Sequence, residues 1–256
     1  AIRAEFGLAL SEVMAIVSMA FLLGGALLVV LGWLADRVGR LPLFQFSLLG
    51  SSLLVALISV APGVMTLTAL RGASIAVGGL SYPITGAIIT EEMPARLRGL
   101  FMGLLQIGYP LGWALASLWS MWILTEYGWR QLFWVGLVSL PMVWIVRRYL
   151  REPPRSVAAR LEQAPATFAD LFAKGVRERA LTLFAAQFLF VWAYAASIFL
   201  FPSFLREVRA LDAFNFSLLI GAGNAIGVIG YVLAAWVGER VWTRRNTVVL
   251  WTVLGS

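Results

Sequence analysis

The turn "GWLADRVGRLP" places one acid and two bases, Asp36, Arg37 and Arg40, between two long apolar stretches, with Gly32 and Gly39 beside them. A similar acid-Arg pair, Glu239-Arg240, closes another apolar stretch far along the chain. Glu91 and Arg98 flank a third such boundary, and Arg71 is the one base set within an apolar run. These residue types can exchange ion pairs and bind anions. They do not form a nucleophile–base pair, and the chain has no cysteine and no histidine. No metal-ligand cluster and no phosphate-binding Walker loop is present. "GAGNAIG" (221–227) has the wrong spacing for a dinucleotide loop, and no strand precedes it. Gly223 with Gly227, and Gly108 with Gly112, read instead as small residues at helix contacts. The chemistry on offer is therefore non-covalent, with no catalytic residue, no cofactor and no metal.

The elements that must carry these residues follow from composition. The chain has 256 residues, 61% hydrophobic and only 13% charged, where a soluble domain carries about a quarter charged. Uncharged runs recur along it, and about 20 apolar residues cross a bilayer core as a helix. Backbone groups cannot go unpaired in lipid, so spans are helices or a closed barrel. "AIVSMAFLLGGALLVVLGWL" is apolar on every face rather than alternating, which selects helices. The expected spans are 11–34, 44–61, 64–90, 99–122, 131–150, 180–204 and 214–237, with an eighth beginning at 247. "APG" at 61–63 separates two of them. The chain opens on Ala1 and closes on "TVVLWTVLGS", and reads as a fragment of a longer protein.

Fifteen of the 20 bases fall in alternate loops, 36–43, 91–98, 147–179 and 238–246. Positive charge marks the inner side of a membrane. The 147–179 loop is then cytoplasmic. It contains "REPPR" and an amphipathic stretch around Phe168–Phe172, and reads as a linker. The net charge of +7 lies at span ends rather than on a soluble face, which argues against nucleic acid.

Within the spans, Gln106, Tyr109, Gln187, Trp192, Tyr194 and Asn224 are polar or amphipathic. As a set they suit a cavity wall. Singly, each would serve equally as a hydrogen-bonding contact between helices.

Asp36 aligns with Glu239, so that "GWLADRVGR" falls on "AWVGERVWT". A repeat of this size argues for two similar bundles. "GWLADRVGR" closely resembles the G-x-x-x-D-R-x-G-R signature of the major facilitator superfamily. Arg71 with its following glycines, "EEMPARLRG" (91–99), "GWRQLFWVG" (128–136) and "REPPR" (151–155) resemble further family motifs in the same order. "RGLFMGLLQIGYPLGWALAS" is most similar to the sialate/lactate proton symporter branch.

The resemblance implies an all-α membrane protein with two pseudo-symmetric helical bundles, here about seven and a half spans. Residues 1–150 would be helices two to six of the first bundle, 151–179 a linker, and 180–256 the start of the second. It implies a monomeric secondary transporter in a bacterial inner membrane, moving a small organic carboxylate with protons, or alternatively a sugar or drug. It also implies that Gly32, Asp36, Arg37, Gly39, Arg40, Glu91, Arg98, Glu239 and Arg240 gate the exchange of access states. Asp36 would face a helix N-terminus, which favours an anion, and Arg40 would reach Glu91. Arg71 would face the cavity as an anion partner. The sequence departs from the pattern at Ser81, where the branch carries an acid. Ile75 and Val77 replace helix glycines, and Trp242 and Thr243 replace the glycine and arginine of the second signature, which therefore reads as a relic.

Overall fold

The computed structural model describes residues 2–150, 175 and 177–254, all helices and short connections with no strand among them. The expected linker lies almost wholly outside the described residues, as does the Phe168–Phe172 stretch. The helices are α1 (Ile2–Glu5), α2 (Leu10–Val38), α3 (Arg40–Ile58), α4 (Val64–Gly79), α5 (Ser81–Glu92), α6 (Arg98–Glu126), α7 (Trp129–Trp134), α8 (Leu140–Tyr149), α9 (Arg177–Ser203), α10 (Ala213–Arg240) and α11 (Arg244–Leu254). Among the described residues, six segments are long and apolar enough to cross a membrane, with α4–α5 counted together and α7–α8 counted together. α9 adds a further 27 residues of helix. Large side chains such as Leu22 (71% exposed) and Trp122 (74%) stand on the outside. In water such patches would drive association, whereas in a bilayer they face their solvent.

Two expected spans are interrupted, each for a local reason. Pro83 has no N–H to give the Gly79 carbonyl, and α4 ends there before α5 restarts at Ser81. The span expected over 131–150 is likewise three pieces, α7, a 3-10 turn at Val135–Ser139, and α8. Pro141 cannot bond back to Leu137, and the Leu140 N–H takes that carbonyl in a tighter turn instead. The 3-10 turn is pinned to α3: Ser52 and Ser139 hydroxyls lie 2.6 Å apart. Gly136 sits where an added Cβ would meet Val55 at 2.7 Å.

Helix contacts pair a small residue on one helix with a large one on its neighbour. Gly24 receives Ile75, Gly72 receives Leu23, and Gly50 receives Val77. The glycines that α4 lacks at 75 and 77 are thus supplied by α2 and α3. Gly108, Gly112 and Gly223, expected at contacts, have no neighbour within 4 Å of an added Cβ. Only Gly227 of that set meets another helix, with Pro110 Cβ 3.9 Å away.

Two buried clusters close the ends of the α2–α8 assembly. Ala35, Leu43, Leu80 and Ile84 pack at the arginine-rich inner end. Ile58, Ala61, Leu67 and Trp129 pack at the outer end, under Ile2 and Phe6 of the N-terminal segment. The outer cluster has a polar lid. Glu5 accepts from Arg130 Nη2 at 2.7 Å and from the Trp129 indole at 2.6 Å. Arg130 Nη1 also donates to the Ser59 and Ala61 carbonyls at 2.8 and 3.1 Å.

The bonds from Arg130 and Trp129 hold the Glu5 carboxyl below the usual carboxylate range. A depressed carboxyl contributes stability above its unfolded pKa and loses it as pH falls through the folded value. Acidification into that range should therefore lower the thermal midpoint of the parent. Glu5→Gln should remove this part of the pH dependence; an unchanged slope in the variant would show that Glu5 contributes nothing to it.

Candidate functional site

α10 runs antiparallel along α6 on a seam of small residues. Gly99 meets Glu239, Gly103 meets Ala235, Pro110 meets Gly227, and Ser117 meets Gly221. Ser120 and Ser217 close the outer end with hydroxyls 3.1 Å apart. α10 is started by Asp212, whose carboxylate accepts from the Phe214 and Asn215 N–H groups. Such close backbone approach is how helices associate in lipid, where apolar burial supplies no net drive.

Beside this seam four tyrosines converge. The Tyr82 hydroxyl, on α5, is hydrogen-bonded to Gln106 Oε1 on α6. Tyr109, one turn along α6, lies near enough to Tyr194 of α9 for the two phenols to influence each other. Tyr231, on α10, lies close enough to Tyr82 and Tyr109 to feel both phenols. Tyr82, Tyr109 and Tyr231 stand nine to eleven residues from the inner ends of their helices, about 14–17 Å at 1.5 Å per residue. That is the middle of a core about 30 Å thick. Ring contacts fix the phenols: Tyr109 meets the Trp113 edge at 6.4 Å, and Tyr194 stacks on Phe190 at 6.5 Å. Pro110 lacks an N–H, which frees the Gln106 backbone carbonyl within the same cluster.

The structure thus brings together Gln106, Tyr109 and Tyr194 of the expected lining and adds Tyr82 and Tyr231. A signal for these two exists in the sequence. Tyrosine favours the membrane interface, and Tyr127 and Tyr149 do sit at helix ends. Tyr82 and Tyr231 are at mid-span, where the phenol needs a polar partner. Gln187 lies two turns from Tyr194 on the same face of α9. Asn224 lies two turns from Tyr231 on α10, its amide donating to the Ile220 carbonyl at 2.9 Å, so one of its two N–H donors is spent on its own helix. Trp192 is apart from the cluster. It is 65% exposed, on the far side of α9 from Tyr194, in a ring stripe with Phe184 and Phe188.

Arg71 is exposed on α4. Among the described residues its guanidinium has no hydrogen-bond or ion-pair partner. Tyr82 follows eleven residues later, three turns along the same face, so Arg71 lies about 16 Å outward of the tyrosines. The structure does not join the two.

At the inner end, Arg40 forms an ion pair with Glu91, bridging α3 and α5 as the sequence suggested. Both side chains are about a quarter exposed. Gly39 is required by its backbone, with φ at 120°, rather than by close approach. Gly32 has open space within 4 Å and permits no close approach in this structure. Asp36 and Arg37 occupy the last turns of α2, and their side chains lie outside the described residues.

The second copy of the turn is better placed than its degenerate sequence suggests. A Cβ added at Gly99 would overlap the Glu239 carboxylate, which therefore rests on the first turn of α6. An anion is favoured there by the helix dipole. Beside it Arg98 donates from Nε to the Met93 carbonyl at 3.0 Å, holding the 93–97 turn. Arg98 and Glu239 share a cavity of about 780 Å³ with Thr90, Met102, Thr247 and Trp251. Arg240 ends α10 in an exposed position.

Comparison with known proteins gives this arrangement a family. A niacin transporter from Acinetobacter baylyi is 26% identical over 82% of this chain and 54% of its own length. A cis,cis-muconate transport protein from the same organism is 27% identical, over 95% of this chain and 61% of its own. A gentisate transporter from Corynebacterium glutamicum is 26% identical, over 89% and 53%. The chain thus spans little more than half the length of these relatives. The sequence pattern of the Major Facilitator Superfamily matches residues 1–256. With that match from end to end and helices fit to cross a bilayer, the chain belongs to the major facilitator superfamily and is a multi-pass integral membrane protein.

Proposed function

We propose that the protein is a secondary transporter that carries small organic carboxylates across a bacterial inner membrane by alternating access, with protons as the coupling ion. Residues 1–150 form the first bundle, 151–179 join the bundles on the cytoplasmic side, and 180–256 begin the second. The observation that carries the reading is the mid-span cluster of Gln106, Tyr109, Tyr194, Tyr231 and Tyr82. It draws on both halves of the chain at the depth where an alternating-access carrier holds its substrate. Its walls are aromatic, which suits flat, conjugated acids. The relatives named for niacin, muconate and gentisate support this class over the sialates and lactate that the sequence first suggested. Gln187 and Asn224 extend the wall inward and outward, and Arg71 lies on the outer approach.

The charged turns then act as latches. Glu239, resting on the first turn of α6 beside Arg98 and next to Arg240, makes a contact between the bundles that only one packing allows, and Arg40 with Glu91 holds the inner end of the first bundle beside Asp36 and Arg37. The test is uptake of labelled nicotinate, muconate and gentisate into proteoliposomes under an imposed proton gradient. Uptake of at least one acid, stimulated by the gradient, is expected. Uptake of none, or of a neutral sugar in preference, overturns the reading. Asp36→Asn and Glu239→Gln should each slow uptake about tenfold while leaving equilibrium acid binding near that of the parent. Parent-like uptake rates at matched insertion would remove the latch role.

A further inference from the structure

Gln106 stands where three helices meet, and contacts on either side of it set its level. On the α5 side, a Cβ added at Gly86 would meet Met102 Cε of α6 at 3.6 Å. The two helices run antiparallel, so one turn further out on each brings Tyr82 to Gln106. There the Tyr82 hydroxyl donates to Gln106 Oε1. On the α10 side, a Cβ added at Gly103 would meet the Ala235 methyl, and one added at Gly227 would meet Pro110 Cβ at 3.9 Å. Gln106 lies on the face of α6 that carries Gly103 and Pro110, and Tyr231 on the face of α10 that carries Gly227 and Ala235. Gln106 is therefore level with Tyr231, on the seam between the two halves.

A primary amide has two unlike ends. Its oxygen only accepts and its NH2 only donates. Turning the group over about its last bond swaps the two with little change of shape. A glutamine that is free to turn thus offers a ligand either end. Here the phenol O–H occupies the oxygen, and the NH2 sits on the other branch of the same planar carbon, turned away from Tyr82. Among the described residues neither of its N–H groups has a hydrogen-bond partner. Two unspent donors at mid-span call for an acceptor, and a carboxylate has two oxygens that only accept.

We propose that Gln106 is the donor that holds the carboxylate of the bound acid, and that Tyr82 is a positioning residue that keeps the Gln106 N–H groups turned toward it by occupying Oε1. This inference rests on the transport reading above and names the group that reads the substrate's acid. A neutral donor suits a carrier that must return empty, because a guanidinium at this depth would need a counterion whenever the acid left. The pair also sets selectivity. A carboxylate accepts a charge-assisted bond, roughly twice as strong as the one a neutral amide carbonyl would accept. The NH2 of an amide ligand, in turn, finds Oε1 already taken.

The test is equilibrium binding of nicotinate, muconate and gentisate, with nicotinamide as the neutral isostere, to the whole protein in lipid nanodiscs. Gln106→Leu removes both donors at similar volume. It should weaken acid binding about tenfold or more, as expected for loss of a hydrogen bond to a charged group, and nicotinamide binding less than about threefold. Tyr82→Phe keeps the ring and frees the amide, which the acid must then order for itself. It should weaken acid binding about tenfold, the cost of fixing one glutamine side chain. In the Gln106→Leu background, Tyr82→Phe should have no further effect, because it acts through the amide. Acid affinity unchanged in Gln106→Leu, or acid and amide weakened alike, overturns the inference. A full Tyr82→Phe effect that persists without Gln106 overturns the positioning role and puts the phenol itself on the acid. A parent that binds none of the acids overturns the inference and the transport reading together, whereas a parent that binds them with an unaffected Gln106→Leu variant removes this inference alone. A measurement without variants guards against poor folding. In the parent carrying isotope-labelled glutamine, nicotinate should shift a glutamine side-chain NH2 resonance further than nicotinamide does. An absent shift on a bound acid also counts against the inference.

Discussion

Leucine at position 103 should abolish uptake while the protein still inserts. Gly103 sits on the α6–α10 seam, where even a methyl group would overlap the Ala235 methyl and approach its Cα at 3.7 Å. No flexible chain end is there to yield, so the helices themselves must move. Overpacking of this kind costs about 1–3 kcal/mol in well-packed interiors. The seam runs from Gly99 to Ser120, about 32 Å, so a local wedge disturbs the whole contact between the halves. Gly103→Ala should slow uptake less than leucine. Ala235→Gly in the same chain should restore it, because that change removes the methyl that the new one meets. Uptake in the Gly103→Leu variant equal to that of the parent, or no rescue of Gly103→Ala by Ala235→Gly, would show that the seam does not have to close during transport.

The pairing along this seam was not legible in one sequence, although the spans were. A span declares itself by composition, because twenty apolar residues without charge have few other uses. Its interruptions were half legible. Pro83 and Pro141 could be seen, but where the helix yields depends on which carbonyl loses its donor and on what packs there. At the span over 131–150 it is Val55 against Gly136 that fixes the tight turn. Small-residue contacts were the least legible. The motif rule selected Gly108, Gly112 and Gly223, which face open space, and passed over Gly24, Gly50 and Gly72, each of which receives one large residue from another helix. A spacing rule reads one helix, and these contacts are properties of two. The Arg40–Glu91 pair was accessible because both residues sit at span ends on the arginine-rich side. Glu239 was undervalued because Trp242 and Thr243 spoil the motif, although the acid itself needs only a helix N-terminus to rest on. Tyr82 and Tyr231 were missed because a tyrosine in an apolar run passes for packing until its depth is considered.

Arg71→Gln should slow the association of carboxylates about tenfold and leave their dissociation nearly unchanged, as for a charge that steers rather than holds. An arginine within a span costs at least about 2.5–3.5 kcal/mol at the bilayer centre on insertion scales. Arg71 lies seven residues inside the outer end of α4, so part of that cost is relieved by reaching toward the interface. Yet no partner among the described residues compensates its charge, and Tyr82 shares its helix face three turns further in. Those 16 Å or so are too far for one carboxylate to touch both. An acid arriving from outside would meet Arg71 first and the phenols afterwards. Arg71→Lys keeps the charge and loses the planar fork, so it should slow association less than glutamine does. Added salt should slow association in the parent and have little effect in Arg71→Gln. Nicotinamide should bind at the same rate to all three proteins. Stopped-flow measurement of acid binding at two salt concentrations separates the outcomes. Faster dissociation with unchanged association would place Arg71 on the bound acid, and unchanged rates in both directions would make it a snorkelling residue with no part in recognising charge.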